Sequence, residues 1–172
     1  MPKIIENIRE NLLAEARSQV MEQGYTAMTI RSVAKACGVG VGTVYNYFPS
    51  KDILVASFML VDWQQCLQKI KVGCGTTVET ALKCIYDELT HFMEQHAILF
   101  QDESAGVSFA TALPQRHGQL RSQIAEPLLQ LCKQQNRAEA GFLAEFVAES
   151  MLTWTLTGRS YEEISRVLLQ LF

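Results

Sequence analysis

The sequence has no apolar run of about 18 residues, the length a membrane-spanning helix requires, and its first ten residues mix Glu, Arg, Lys and Ile where a secretory leader would carry an apolar block. No membrane association is expected, and the cytoplasm is the expected compartment. Cysteine supplies no framework. Cys37, Cys66, Cys74, Cys84 and Cys132 are odd in number and include no C-x-x-C pair, so reduced thiols acting as small hydrophobes are expected. No two histidines stand at i,i+4. Cys84, Glu88 and His91 share one helical stripe, but an ordinary thiol on a solvated helix face accounts for it better than a transition metal does, so no metal and no cofactor are expected. A G-x-S-x-G elbow, a P-loop and a zincin motif are all missing, and nothing pairs a nucleophile with a base; an enzyme is not expected.

What remains is a chain of 172 residues, 48% hydrophobic and 19% charged, with enough apolar material for a core and too little charge for gross disorder. Its net charge of −3 is unevenly spread: residues 24–51 hold Arg31, Lys35 and Lys51 and no Asp or Glu. A phosphate senses charge over about one Debye length, roughly 8 Å at physiological salt, so one local basic face suffices to dock DNA while the acidic remainder opposes wrapping.

The periodicity is helical throughout, with no period-two strand, no internal repeat and no low-complexity segment. A first helix over 3–23 carries Ile5, Ile8, Leu12, Ala16 and Val20 on one stripe and closes at Gly24. Thr29 caps a second helix ending at Cys37–Gly38, and a short third runs from Gly40 to Phe48. Ser50 caps a long helix over 51–72, expected to connect an N-terminal domain, 1–50, to a C-terminal one, 51–172, with Gly73 and Gly75 stopping it. Thr76 with Glu79 reads as the capping box of a fifth helix striped by Val78, Leu82, Ile85, Leu89 and Phe92. A loop-like patch over 102–108 follows, then a break bracketed by Pro114 and Gly118, then a helix over 119–135. Pro127 either kinks that helix or begins a new one. A helix over 138–157 stops at Gly158, and Ser160 with Glu163 boxes a last helix to the C-terminus, giving an all-α chain of about nine helices.

Between Thr29 and Lys51 the two short helices and their tight turn have the layout of a helix-turn-helix, whose second helix enters a major groove. Val33, Ala34, Val39 and Val44 are the apolar positions that lock the pair, and Gly38 suits a turn needing positive φ. Tyr45 and Tyr47 offer hydroxyls to phosphate, and Lys51 adds its charge to the free N–H groups of a first helical turn. Arg31 suits guanine and Asn46 adenine. This stretch resembles the tetracycline-repressor (TetR) family of bacterial regulators, matching A-x-x-A-G-V-S-x-G-T-[LV]-Y-x-[HY]-F-x-x-K at Ala34, Gly38, Val39, Gly42, Thr43, Val44, Tyr45, Tyr47, Phe48 and Lys51. Cys37 replaces a small residue, and Gly40 a serine that often caps the recognition helix. The resemblance implies phosphate contacts from Thr29, Tyr45, Tyr47 and Lys51, and base contacts from Arg31, Val41, Gly42, Thr43 and Asn46.

Beyond the long helix the resemblance implies an architecture: an effector pocket, then a dimer made by the last two helices. Trp63, Tyr86, Phe92, Met93, Phe100, Phe109, Met151 and Trp154 are candidate walls for a small hydrophobic effector, although each singly reads as core. Phe142, Phe146, Tyr161, Ile164 and Leu168 are candidates for a homodimer interface. The implied activity is that of a repressor on a palindromic double-stranded operator. The alternative is a helix-turn-helix regulator whose C-terminal domain binds a protein partner in place of a small molecule.

Overall fold

The computed structural model describes residues 7–105 and 116–172. Every regular element among them is helical: α1 (Ile8–Gln23), α2 (Ile30–Ala36), α3 (Val41–Tyr47), α4 (Lys51–Gly73), α5 (Val78–Gln95), α6 (Ala97–Phe100), α7 (Arg116–Gln134), α8 (Ala140–Leu156) and α9 (Tyr161–Leu168), closed by a 3-10 turn, Leu169–Leu171. Residues 103–105 are helical as well. None of these helices is long and apolar enough to cross a membrane.

Two compact units divide the chain, one of 1–62 with 96–114 and one of 63–95 with 115–172. The first therefore extends past residue 50, taking in the first half of α4 together with α6. Burial explains this: Leu54, Val55 and Phe58 are sealed at 0% exposure, so these α4 residues are core and not a free connector.

In the first unit, Leu12, Ala16 and Val20 of α1 are fully buried, and Gly24 ends the helix at φ 86°, its N–H bonded to Val20 O. Ile8 is only half-buried, and Ile5 lies outside the described residues. A polar cluster lies beside this core: the partly exposed Arg17 of α1 pairs with the buried Asp62 of α4, and His96, 0% exposed, places Nε2 3.1 Å from Asp62 Oδ2. The Arg17 guanidinium lies over Phe58, and Phe58 stacks on His96. Burial, assisted by Arg17, pushes the His96 imidazole down to about 4.

The second unit is built around Ile70, Leu82, Ile85, Ile124, Leu128, Val147, Met151 and Leu168, contributed by α4, α5, α7, α8 and α9. The α5 stripe lies inside as expected, Val78, Leu82, Ile85 and Leu89 being buried and Phe92 packed at the edge. Two local expectations are corrected, and the alternatives at Pro127 are decided. The cap of α5 is Thr77 and not Thr76: Thr80 N–H donates to Thr77 Oγ1 at 3.2 Å, one residue on from the expected box. Gly75, at φ 61°, sets that register by turning the chain just before it. Gly118 marks no break but lies in α7, where Ile124, Ala125, Leu128 and Leu131 bury enough surface to outweigh one glycine. Pro127 sits inside the same unbroken helix and begins no new one. The last box forms as read, Glu163 N–H donating to Ser160 Oγ and Ser160 N–H to Glu163 Oε2 at 3.0 Å.

Candidate nucleic-acid interface

The helix-turn-helix is assembled from small local solutions. Thr29 is extended at φ −132°, and its Oγ1 accepts the Ser32 N–H at 3.0 Å while Ser32 Oγ accepts the Thr29 N–H at 3.1 Å. The same Ser32 hydroxyl donates to Gln19 Oε1 at 2.5 Å, which fixes the start of α2 against α1. Ile30, Val33 and Ala34 are the buried face of α2. The turn then reverses through Gly38 at φ 66°, with Val39 N–H bonded to Ala34 O at 3.0 Å. A side chain at Gly38 would meet nothing within 4 Å, so the glycine is demanded by the backbone angle and not by crowding.

Gly40 caps α3 through its backbone alone, Thr43 N–H reaching Gly40 O at 2.9 Å. Within α3 only Val44 is buried; Phe48, just beyond, is 2% exposed and pins the far end. The helix is thus held at two points on one side. Its other side is open: Val41, Gly42, Tyr45, Asn46 and Tyr47 are exposed and Thr43 is half-buried. Arg31 of α2 is exposed, as is Lys35 one turn later, and no carboxylate occurs between 24 and 51 to neutralise this face. Arg31, Val41, Gly42, Thr43 and Asn46, the expected base contacts, therefore belong to the two helices of one motif.

The expected phosphate contacts are less uniform. Tyr45 and Tyr47 are half exposed. Thr29 is exposed, but its hydroxyl is already occupied by the cap. Lys51 is half-buried and held against its own chain: Nζ lies 4.2 Å from the Tyr25 ring centre and 3.4 Å from Thr26 O. Burial lowers its pKa, against the opposing pull of the Asp52 and Asp102 carboxylates. The Tyr25 hydroxyl is bonded to Asp52. Neither this cluster nor the one around Asp62 was legible in the sequence, since their partners lie 27 and 45 positions apart.

In the second unit the candidate effector walls separate. Trp63 and Met151 are core, at 3% and 0% exposure, and Tyr86, Phe92 and Trp154 pack around it. Trp63 Nε1 donates to Gln123 Oε1 at 2.8 Å and its ring meets Phe92 edge-on at 5.4 Å. Met93 is half-buried, Phe100 is exposed and belongs to the first unit, and Phe109 lies outside the described residues. A cleft of about 310 Å³ opens between the end of α4 and α7, lined by Lys71, Cys74, Thr76, Glu126, Pro127 and Gln130 among others, and contains none of these residues. A smaller one, about 160 Å³, includes Trp154 with Arg159, Glu163, Ile164 and Val167.

The candidate dimer residues differ in exposure. Ile164 and Leu168, at 1% and 0% exposure, are spent on their own chain's core. Their helix is amphipathic, and its outward side carries Val167, 50% exposed. Phe142 and Phe146 stay on the surface at 73% and 45% exposure, their rings 6.4 Å apart on α8, with Leu156 further along the helix. Tyr161 is half-buried, its ring tilted against that of Tyr86 and its hydroxyl donating to Glu79 O at 3.2 Å.

Among the described residues no group of three or more His, Cys, Asp and Glu is placed to hold a metal ion. Glu88 of the Cys84–Glu88–His91 stripe instead faces Lys69 at 3.3 Å. Cys66 and Cys74 are buried, each thiol pushed up to about 12 chiefly by desolvation, so neither is a ready thiolate.

Residues 12–58 match the sequence profile described as bacterial regulatory proteins, tetR family. The helix-turn-helix is of the TetR-family kind. It is 28% identical over 104 residues to the transcriptional repressor KstR of Rhodococcus jostii, an alignment covering 60% of this chain and 49% of that protein. The alignment thus spans about half the length of that curated relative. Among solved structures, Thermus thermophilus FadR, a TetR-family repressor crystallised with lauroyl-CoA, is 22% identical at a TM-score of 0.58, over 95% of this chain and 92% of FadR. AlkX of Dietzia, a TetR-family repressor implicated in n-alkane biodegradation, is 16% identical at a TM-score of 0.64, over 94% and 93% of the two chains. These likenesses extend the shared fold along nearly all of the chain.

Proposed function

We propose that this chain is a homodimeric, sequence-specific DNA-binding regulator of the bacterial cytoplasm, a repressor released by a small apolar effector. The observation that carries the DNA-binding reading is the division of α3 into a held side, Val44 and Phe48, and an open side of Val41, Gly42, Tyr45, Asn46 and Tyr47 in an acid-free stretch. On this reading α3 lies in the major groove. Arg31, Val41, Gly42, Thr43 and Asn46 meet base edges, while Thr29, Tyr45, Tyr47 and Lys51 hold the backbone. Two such helices, one DNA turn of about 34–36 Å apart, would read a palindrome.

The exposed Phe142, Phe146, Leu156 and Val167 supply the apolar seam for a second copy, and a two-fold operator calls for a two-fold protein. The apolar effector is supported by the aromatic fringe of Tyr86, Phe92 and Trp154 around the second core, and it accords with the lauroyl-CoA held by FadR. Its mechanism would be a shift of α4, whose two halves belong to the two compact units. A coupling of about 1–3 kcal/mol suffices to lower operator affinity several-fold.

Fluorescence anisotropy of the protein on the DNA upstream of its own gene, against a scrambled duplex, tests the first part. Preference for the upstream duplex at physiological salt is expected, and absence of binding to any duplex at low salt would defeat it. Thermal-shift and DNA-release screens with acyl and alkyl compounds test the effector. Finding none that weakens DNA binding would leave the regulator without that switch.

A further inference from the structure

Arg9, in the first turn of α1, stands outside the stretch that matches the family profile. Its guanidinium carbon lies 5.6 Å from the centre of the Phe48 ring. Phe48 is the buried residue that closes α3, and its ring is 6.4 Å from that of Tyr47, which is itself half exposed. A cation from α1 is therefore laid against the end of the proposed recognition helix by a ring that packing holds still.

Arg9 remains exposed, and no carboxylate pairs with it among the described residues. The other arginine of α1, Arg17, is committed to Asp62, and Lys51 rests on Tyr25 and Thr26. Arginine loses much rotamer freedom when it binds, and a side chain already stacked on a fixed aromatic face has less to lose. The ring takes up none of the guanidinium's N–H donors, and paired N–H groups of this kind are what a phosphate accepts from.

We propose that Arg9 is a DNA-phosphate contact that brackets the recognition helix from α1. The proposal rests on the DNA-binding reading above. As a backbone contact, Arg9 would position α3 without carrying sequence information, and it would add a held charge from α1 to those of residues 24–51.

The test is the salt dependence of binding for the full chain, measured on the upstream and scrambled duplexes. The variants are Arg9→Met, which keeps an apolar stem over Phe48, Arg9→Lys, which keeps the charge, and Arg166→Gln, which removes an exposed cation of α9. Each phosphate contact contributes about 0.9 to the slope of log K against log salt. Arg9→Met is expected to flatten the slope by about that amount and to weaken both duplexes by the same factor. Arg9→Lys and Arg166→Gln are expected to keep the wild-type slope. A wild-type slope in Arg9→Met would overturn the assignment alone, leaving Arg9 as a cover for Phe48. A wild-type protein that binds neither duplex would overturn the DNA-binding reading and this proposal together. Thermal melts that match wild type certify that the variants compared are folded; if Arg9→Met melts early, Arg9→Gln replaces it under the same criteria.

Discussion

The Lys51 ammonium sits 4.2 Å from the centre of the Tyr25 ring, so the first residue of α4 is fastened to the loop that follows α1. A phosphate arriving there meets a cation that the protein already positions. Lys51→Ala is expected to cost about 0.5–1 kcal/mol of stability, the usual worth of such a contact near the surface. It should also weaken matched and scrambled DNA alike and lower the salt slope by about 1. Tyr25→Leu should share the stability loss and keep the slope. Urea melts with anisotropy salt series decide it, and an unchanged slope in Lys51→Ala would remove that residue from the interface.

Asn46 is exposed on α3, next to Tyr45 and one turn on from Gly42, both also exposed. Asn46→Ala is expected to lose about 1–3 kcal/mol on the preferred operator and to relax preference at one base pair, with no change in salt slope. Selection of binding sites from random duplexes by wild type and variant shows whether one position, several or none is freed.

Acid should unfasten the first unit through His96. The folded imidazole titrates near 4 against an ordinary 6.5, because burial and Arg17 both disfavour its charge. Between those pH values the unfolded chain takes up a proton that the folded chain refuses. Stability from this group is complete above pH 6.5 and falls as pH drops toward 4, at up to about 1.4 kcal/mol per pH unit. Asp62 acts in the opposite sense, since burial raises its pKa against the pull of Arg17, and it offsets part of the loss at the acid end. Urea midpoints between pH 7 and 4.5 should fall in wild type and fall less in His96→Leu; parallel curves would count against this account.

The outer face of α8 and the core face of α9 should respond differently to a polar residue. Phe142→Ser with Phe146→Ser is expected to yield a folded monomer at micromolar concentration by sedimentation. Leu168→Ser, at 0% exposure, is expected to cost about 2–5 kcal/mol and to lower the melting temperature sharply. A double variant that sediments as wild type does would place the copy-to-copy contact elsewhere.

The contrast between Ile164 and Val167 shows where the sequence stops being informative. Both are branched aliphatics on one short helix, and the inner one is known only when α5 and α8 are in place around it. The helix-turn-helix was legible because each step is a local transaction: Thr29 with Ser32, Gly38 with its own φ, Ser50 with the Ile53 N–H at 3.2 Å. Thr76 and Thr77 each had an acceptable partner three residues on, so only the turn at Gly75 selected the second. Gly118 was misleading because propensity is a weak term beside the burial of a whole helical face. The Arg17–Asp62–His96 cluster and the Arg9–Phe48 contact had no local signal, since long-range charge pairing leaves no periodicity behind it.

The way α3 is anchored carries a consequence for how such a protein can change over generations. Val44 and Phe48 fix the helix, while Val41, Gly42 and Asn46 lie exposed on it, outside the core. Replacing the latter three leaves the scaffold intact, so a duplicated copy could drift to a new binding site by single substitutions, none of which passes through an unfolded intermediate.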